Sequence, residues 1–389
     1  MENSKFKNLT FYIKEISHAL HKLVIREIYY YQIKPIEALF FLTYRCTSRC
    51  RICEMWKRKF PIENELGLDG WKKVVDMVHS FNINLIYLFG GDTLLRKDIL
   101  LPLIKYIKSK DIYCNTTING NLLDKDMASI LVTSGIDCVW ISLDGIGEVH
   151  DKIRGREGSF QRVKSGLENL IEARGNLKIP KIALNCTISS LNINGFEEVL
   201  PFAIDMGVDE VDFEYAGEIK PESAQKSQIN GYIPNPYFIN RGESILLNIE
   251  QSAFLKKKLK EIKEIARNNS LNISTRNIDC LSIENIVTGM PPRKKCYLSR
   301  YHVNIDPMGN VIPCLFFESY YLGNINEEEL SKIWGNQKHR RFLQYVDAKK
   351  VDMCKYCVIG IQRNPTFFQS VSSLRRNLWD IVKANLFNK

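Results

Sequence analysis

Strand-like and helical segments alternate at least six times through the middle of the chain. Repeated strand–helix units of this kind predict a parallel sheet covered by helices. The short apolar runs are 37–43, 84–89, 111–117, 137–143, 181–188 and 209–215. Periodicity does not distinguish an open, doubly wound sheet from a full or partial barrel. In either architecture, the loops after the strands carry the chemistry.

Chemically distinctive residues fall in these loops. In chain order they are Cys46, Cys50 and Cys53, then Gly90, Gly91 and Asp92, then Asn119 and Gly120, then Ser142 and Asp144. Three clustered thiols without a fourth ligand fit a four-iron cluster that has one open iron. A structural zinc site, the alternative, requires four closed ligands. The open iron is where a small molecule would bind.

The cysteines also bear on the compartment. The chain has 11 cysteines, and its 45% hydrophobic and 25% charged residues are typical of a globular enzyme. It lacks both a signal peptide and a run of 18 uncharged apolar residues. We therefore predict a cytoplasmic protein whose thiols bind metal or take part in catalysis.

The motifs resemble those of radical S-adenosylmethionine (SAM) enzymes. The C-x3-C-x2-C signature of Cys46–Cys53, with Ile52 before the last cysteine, is followed in family order by GGDTLLRKDI, INGNLL, SLDG, HDKIRGREGSF and LNCTISSLN. The resemblance covers residues 36–215. It implies an α/β fold with a partial (βα)6, TIM-like barrel, and SAM bound at a 4Fe-4S cluster. It also implies an electron donor such as flavodoxin or ferredoxin and a radical that abstracts a substrate hydrogen.

The resemblance also implies the residues that contact SAM: Gly90, Gly91, Asp92, Ser142, Asp144 and Arg154. The Gly90–Asp92 turn is expected at the amino group, and Ser142 and Asp144 near the ribose and carboxylate. Arg154 is expected at the carboxylate, since a guanidinium matches it bidentately. Asp92 and Thr93 replace the glutamate and proline usual in the family, so the shorter acid must approach SAM more closely or through water.

The C-terminal third resembles a twitch domain, the short form of the SPASM domain. Its four cysteines are Cys296, Cys314, Cys354 and Cys357, and they imply one auxiliary 4Fe-4S cluster. A zinc ribbon is the alternative, but it leaves the LGNI…W segment unexplained. Cys280 lies before this region as a candidate hydrogen donor, or as an inert cysteine. Glu214 and Tyr215, at the end of the sixth strand, are further site candidates.

We predict four regions. They are a basic amphipathic helix at 1–35, the barrel at 36–270 with an insertion or cap at 216–250, the auxiliary-cluster domain at 271–360, and a second basic helix at 361–389. The two ends hold +7 of the net charge of +10. Their helices either close the barrel and its appendage or contact an anionic membrane surface. No nucleic-acid motif accompanies the charge.

The substrate is the least constrained prediction. The leading hypothesis is oxidation or epimerisation of a sugar, a cyclitol or a lipid-linked polyol. A peptide maturase is the enzyme alternative, because that class also carries an auxiliary cluster. No separate peptide-recognition domain precedes the barrel, which weighs against it. An iron-sulfur scaffold or electron carrier is the non-enzyme alternative, supported by Asp92 and Thr93 alone.

Overall fold

The computed structural model describes residues 33–292 and 296–359. The predicted helix at 361–389, and that at 1–35 apart from its last three residues, lie outside these ranges. None of the described helices is both long and apolar enough to cross a membrane.

Ten strands form the sheet of the described residues. They are β1 Glu37–Thr43, β2 Leu85–Gly90, β3 Tyr113–Ile118, β4 Cys138–Ser142, β5 Lys181–Ile188, β6 Glu210–Tyr215, β7 Asn272–Ser274, β8 His302–Ile305, β9 Asn310–Ile312 and β10 Gly323–Asn324. Their spatial order is β10-β9-β8-β1-β2-β3-β4-β5-β6-β7. In this order, every neighbouring pair from β8 through β1 to β7 is parallel. The β8–β9 and β9–β10 pairs are antiparallel. The predicted core of six parallel strands is confirmed.

Helices connect the strands as a parallel sheet requires. In the described residues they are α1 Leu68–Ser80, α2 Lys97–Ser109, α3 Lys125–Thr133, α4 Glu148–Arg154, α5 Ser159–Arg174, α6 Val199–Met206, α7 Pro221–Gln225, α8 Ile249–Asn268, α9 Arg276–Asp279, α10 Ile283–Thr288, α11 Leu298–Tyr301, α12 Leu330–Ile333 and α13 Gln337–Asp347. Short 3-10 turns lie at Met55–Lys57, Ile62–Asn64, Thr93–Arg96, Phe196–Glu198 and Asp352–Tyr356.

Alternate residues of each strand face the helical layer. Phe40 of β1 stacks on Trp71 of α1 at 5.1 Å, and Phe213 of β6 packs edge-on against Phe196 at 6.1 Å. All four side chains are fully buried. Truncating such an aromatic to alanine costs about 3–5 kcal/mol, so these pairs fix the helices against the sheet. The residues between them lie on the opposite face, called here the inner face.

Two strands that the sequence pattern did not reveal extend the sheet at both sides. β7 pairs with β6 from Glu210 to Asp212, and β8 pairs with β1 from Glu37 to Phe40. Both strands are too short, at 3 and 4 residues, to show a period. The C-terminal region therefore continues the barrel sheet directly.

The predicted insertion or cap at 216–250 packs against the C-terminal region. Ser223 donates a hydrogen bond to Asp352 at 2.5 Å, and the N–H of Met353 donates to Ser227 at 2.7 Å. These contacts tie the segment to the turn that carries Cys354. Whether the segment caps the substrate site or is a surface insertion stays a prediction.

Candidate functional site

The loop after β1 brings three thiols together. Burial is the main cause that raises the pKa of Cys53, and the charges of Cys50 and Cys46 in the same loop raise it further. The N–H of Ser48 donates to Cys46 Sγ at 3.4 Å, and that of Met55 donates to Cys53 Sγ at 3.5 Å. Burial raises the pKa of Cys46 to about 11 and that of Cys53 to about 12. Such thiols bind as thiolates only if a cation balances the buried charge.

The end of β2 lies against the start of this loop, and only glycine fits there. A Cβ on Gly90, whose φ is 152°, would stand 2.3 Å from the carbonyl oxygen of Thr43, and one on Gly91 would stand 2.2 Å from that of Arg45. The N–H of Gly91 donates to Thr43 O at 2.9 Å, and the N–H of Asp92 donates to Arg45 O at 2.8 Å. The two glycines therefore let β2 and the cysteine loop meet backbone to backbone.

Asp92 is fully buried, and its carboxylate binds the cysteine loop. Thr47 Oγ1 donates to Asp92 Oδ2 at 2.5 Å and accepts from Asn119 Nδ2 at 2.9 Å and Asn121 Nδ2 at 3.3 Å. Asn119 Nδ2 also lies 3.6 Å from Cys46 Sγ. Burial raises the pKa of Asp92. Thr47 and Asn121 were missed in the sequence, although each stands inside a motif that was singled out.

Asp144 and Arg154 form a buried ion pair beside the loop. Arg154 Nη2 lies 2.7 Å from Asp144 Oδ2, and Arg154 Nη1 lies 3.9 Å from Cys50 Sγ. The N–H of Thr187 donates to Asp144 Oδ1 at 3.0 Å, and the N–H of Arg49 donates to Arg154 O at 2.9 Å. Burial raises the pKa of Asp144, and the Arg154 charge opposes that shift. The pair therefore connects the fourth and fifth strands to the cysteine loop.

The four C-terminal cysteines also lie together. The ionisation of Cys314 is influenced by Cys357, Cys296 and Cys354, and burial raises its pKa well above the ordinary value. The N–H of Phe316 donates to the Cys314 sulfur. Cysteines that are distant in the sequence thus converge on one site.

A segment between the two cysteine sites contacts both of them. We call residues 235–238 the bridge segment. Tyr237 O accepts from the N–H of Glu54, the residue after Cys53, at 2.5 Å. The N–H of Asn235 donates to Phe316 O at 2.6 Å, and the Tyr237 ring packs against Phe316 at 5.2 Å. Few residues therefore separate the first thiol loop from the Cys314 turn.

A buried ion pair reinforces the bridge segment. Arg58 Nη1 lies 3.2 Å from Glu318 Oε2, and Arg58 Nη2 donates to Asn235 O at 2.6 Å. Asn235 Nδ2 donates to Glu318 Oε1 at 2.8 Å, and the guanidinium lies 4.9 Å above the Tyr44 ring. The side chains of Arg58 and Glu318 are only 5% and 13% exposed. The relative position of the two sites is therefore constrained.

Polar residues form a row across the inner face. Ser142 pairs with Asn185, Asn185 with Asp212, and Asp212 with Ser274. Glu214 lies two residues beyond Asp212 on the same face, toward the edge that carries the cysteine loop. Burial and then the charge of Glu214 raise the pKa of Asp212 well above its ordinary value.

Two predicted site residues lie elsewhere. Tyr215 is on the helical face, where its hydroxyl donates to Ile286 O at 2.9 Å and accepts from the N–H of Leu247 at 2.9 Å. Cys280 Sγ donates to Asn277 O at 3.4 Å, and its ionisation is influenced by Lys256 and Asp279. Neither side chain joins the polar row.

Comparisons with known proteins settle the family. Residues 40–203 match the radical SAM superfamily, and residues 296–358 match the SPASM iron-sulfur cluster-binding domain. Together the two matches cover more than half of the chain. The chain belongs to the radical SAM superfamily. The resemblance inferred from the cysteine motifs is confirmed, and SAM and two 4Fe-4S clusters are the cofactors of this radical SAM–SPASM architecture.

Curated relatives align over most of their length. Fe-coproporphyrin III synthase of Methanosarcina barkeri is 24% identical, covering 89% of this chain and 86% of the relative. Pre-heme d1 synthase of Dinoroseobacter shibae is 25% identical, covering 77% and 73%. PqqA peptide cyclase of Bradyrhizobium diazoefficiens is 24% identical, covering 73% and 68%.

Solved radical SAM structures share the fold. The anSMEcpe structure with bound AdoMet and a peptide superposes with a TM-score of 0.60 at 17% identity, covering 91% of this chain and 100% of that one. Streptococcus suis SuiB superposes with a TM-score of 0.59 at 14% identity, covering 87% and 75%. The predicted partial barrel with a C-terminal cluster domain is confirmed.

The donor groups around the thiols fit iron-sulfur clusters. Ser48, Met55 and Phe316 each direct a backbone N–H at a cysteine sulfur, which favours the thiolate form that iron binds. Within residues 33–292 and 296–359, no three His, Cys, Asp or Glu side chains are spaced to hold one metal ion. A cluster needs wider spacing, because each thiolate bonds a different iron.

Proposed function

We propose that the chain is a radical SAM oxidoreductase that oxidises a hydroxyl-bearing carbon of a sugar, a cyclitol or a lipid-linked polyol. The observation that carries the proposal is the polar row of Ser142, Asn185, Asp212 and Ser274, with Glu214 at its upper end. Because the carboxyl ends of parallel strands share one edge, Glu214 and the cysteine loop lie at the same edge of the sheet. Hydroxyl groups suit a surface of mixed donors and acceptors.

Each cofactor is assigned a set of residues. Cys46, Cys50 and Cys53 would hold the first cluster, and the four C-terminal cysteines the second. When bound, these groups would supply the redox chemistry, namely removal of a hydrogen atom from the substrate and acceptance of the remaining electron.

The SAM contacts are assigned to Gly90, Gly91, Asp92, Ser142, Asp144 and Arg154. The buried Nε of Arg154 has no hydrogen-bond partner among the described residues, so it is a free donor beside Cys50. A SAM carboxylate there would satisfy it. Thr47 holds the Asp92 carboxylate close to the loop, which suits the shorter acid.

A protein side chain must accept the proton that the substrate hydroxyl loses. Oxidation of an alcohol removes one hydrogen atom, one electron and one proton. Glu214 is the group proposed to accept the proton from the substrate hydroxyl. Its neighbour on the same face is Asp212, whose pKa is raised by burial and by the charge of Glu214. Epimerisation would need a hydrogen donor instead. The contacts of Cys280 with Asn277 give that alternative no support.

The first test is anaerobic reconstitution with iron and sulfide. The protein is expected to bind about eight irons, two four-iron clusters, and to release 5'-deoxyadenosine when dithionite and SAM are added. Polyols deuterated at the hydroxyl-bearing carbons are then supplied, and the oxidised substrate should appear with deuterium in the deoxyadenosine. Four irons or fewer without SAM cleavage would instead indicate an iron-sulfur scaffold.

Replacing Glu214 with glutamine tests the proton acceptor. Substrate oxidation should slow by about 10²-fold, because general-base catalysis is worth at least that much. Uncoupled SAM cleavage should persist, since Glu214 is assigned no part in it. The Glu264→Gln variant, on the exposed side of α8, is the matched control. An unchanged rate and pH profile for Glu214→Gln would refute the assignment.

The relatives favour a second candidate. Fe-coproporphyrin III synthase and pre-heme d1 synthase are both named for tetrapyrrole products, and each is matched over about three quarters or more of both chains. A tetrapyrrole side chain is therefore the next substrate class to assay. The peptide cyclase relative supports a peptide substrate more weakly, with 68% of its length covered. If deuterium reached the deoxyadenosine from labelled coproporphyrin or from a labelled peptide, and not from polyols, the polyol proposal would be wrong.

A further inference from the structure

A buried ion pair joins the chain near the first cysteine site to the chain near the second. Arg58 follows Cys53 by five residues, and Glu318 follows Cys314 by four. Arg58 Nη1 lies 3.2 Å from Glu318 Oε2, and the two side chains are 5% and 13% exposed. The pair therefore holds one positive and one negative charge where solvent and salt screen them little.

Hydrogen bonds connect Arg58 to the first thiol loop. The N–H of Met55 donates to Cys53 Sγ at 3.5 Å, and Met55 O accepts from the N–H of Arg58 at 3.0 Å. The guanidinium lies 4.9 Å above the ring of Tyr44, which is two residues before Cys46. The turn that follows Cys53 therefore carries a buried cation as well as a donor to a cluster ligand.

Glu318 is held near the auxiliary site in a similar way. The N–H of Phe316 donates to the Cys314 sulfur, and the N–H of Phe317 donates to Cys314 O at 3.0 Å. Glu318 comes next in the chain, and its Oε1 accepts from Asn235 Nδ2 at 2.8 Å. That hydrogen bond holds the carboxylate in place against Arg58.

Buried charges of this kind act on a redox group nearby. A four-iron cluster gains one negative charge when it takes up an electron, so its reduction potential depends on the charges around it. A buried cation stabilises the reduced form and raises the potential, whereas a buried carboxylate lowers it. A unit charge roughly 10 Å away, at an effective dielectric constant of about 20, changes a one-electron equilibrium by about tenfold.

We infer that Arg58 and Glu318 set the reduction potential of the first cluster, which Arg58 raises and Glu318 lowers. A higher potential eases the one-electron reduction that must precede SAM cleavage. Both are positioning residues, because they act through their charges and are assigned no contact with the substrate. The inference goes beyond the proposed oxidation, since it needs the iron-sulfur clusters of the family and not the polyol substrate.

The test measures the reduction potential of the first cluster after anaerobic reconstitution. EPR spectra are recorded during a redox titration, and the first cluster is identified by the change that added SAM causes in its signal. Arg58→Met should lower the potential and Glu318→Gln should raise it, each by about tenfold in the reduction equilibrium, or about 59 mV for one electron. The double variant Arg58→Met/Glu318→Gln removes both charges, so its potential should return close to the wild-type value.

An exposed ion pair beside the same loop supplies the matched control. Arg241 Nε lies 3.2 Å from Glu54 Oε2, but these side chains are 59% and 20% exposed. Because solvent screens that pair, Arg241→Gln should leave the potential nearly unchanged. Arg58→Lys keeps the charge and should shift the potential less than Arg58→Met does.

The signs of the shifts separate charge from local structure. Shifts in the same direction for Arg58→Met and Glu318→Gln would overturn the inference, as would a double variant displaced as far as either single one. Shifts no larger than that of Arg241→Gln overturn it too, and so does loss of iron from both single variants. A wild type that cleaves SAM but oxidises no polyol would refute the proposed function and not this inference.

Discussion

Replacing Cys46, Cys50 and Cys53 with alanine is expected to remove about four of roughly eight irons per chain and to abolish 5'-deoxyadenosine formation. The three thiols lie together, and backbone N–H groups point at two of them. Iron is counted by a colorimetric assay after anaerobic reconstitution, and deoxyadenosine by chromatography.

The auxiliary site supplies the contrasting variant. Replacing Cys354 and Cys357 should also remove about four irons, yet leave uncoupled SAM cleavage partly intact, because that reaction uses only the first cluster. Cys186→Ala is the control, since this buried cysteine belongs to the core and should leave the iron content unchanged. Cleavage that survives in the triple variant would contradict the assignment of the first site. Iron content that stays constant without Cys354 and Cys357 would contradict the second.

The features that could be predicted from the sequence are those that depend on a local pattern of residues. Strands of five residues or more show their period, so all six barrel strands were found within about two residues of their bounds. The motif loops follow those strands, and parallel pairing brings them to one edge. Gly90 and Gly91 could also be singled out from the sequence, because a position that has no room for a Cβ admits only glycine.

What the sequence could not show depends on contacts between distant residues. The polar row requires the register of β4 to β7, which no single strand reveals. The ion pair of Arg58 with Glu318 joins residues 260 positions apart, so the sequence around either residue does not predict the pair. Tyr215 was a site candidate because it ends a strand, but strand alternation puts it on the face opposite Glu214.

The Asp144→Asn variant is expected to lower the free energy of unfolding by about 3–5 kcal/mol. Asp144 is fully buried, and the Arg154 side chain that pairs with it at 2.7 Å is only 12% exposed. Removing the carboxylate leaves the guanidinium charge largely buried without its charged partner. Anaerobic urea denaturation followed by circular dichroism measures the change.

The same helix offers a matched control. Glu148 and Lys152 also pair on α4, at 2.9 Å, but their side chains are 85% and 72% exposed. Because solvent screens that pair, Glu148→Gln should cost only about 0.5 kcal/mol. The double variant Asp144→Leu/Arg154→Met removes both buried charges, so it should recover much of the stability that Asp144→Asn loses. If Asp144→Asn were as stable as Glu148→Gln, the Asp144–Arg154 pair would not be what secures α4 to the cysteine loop.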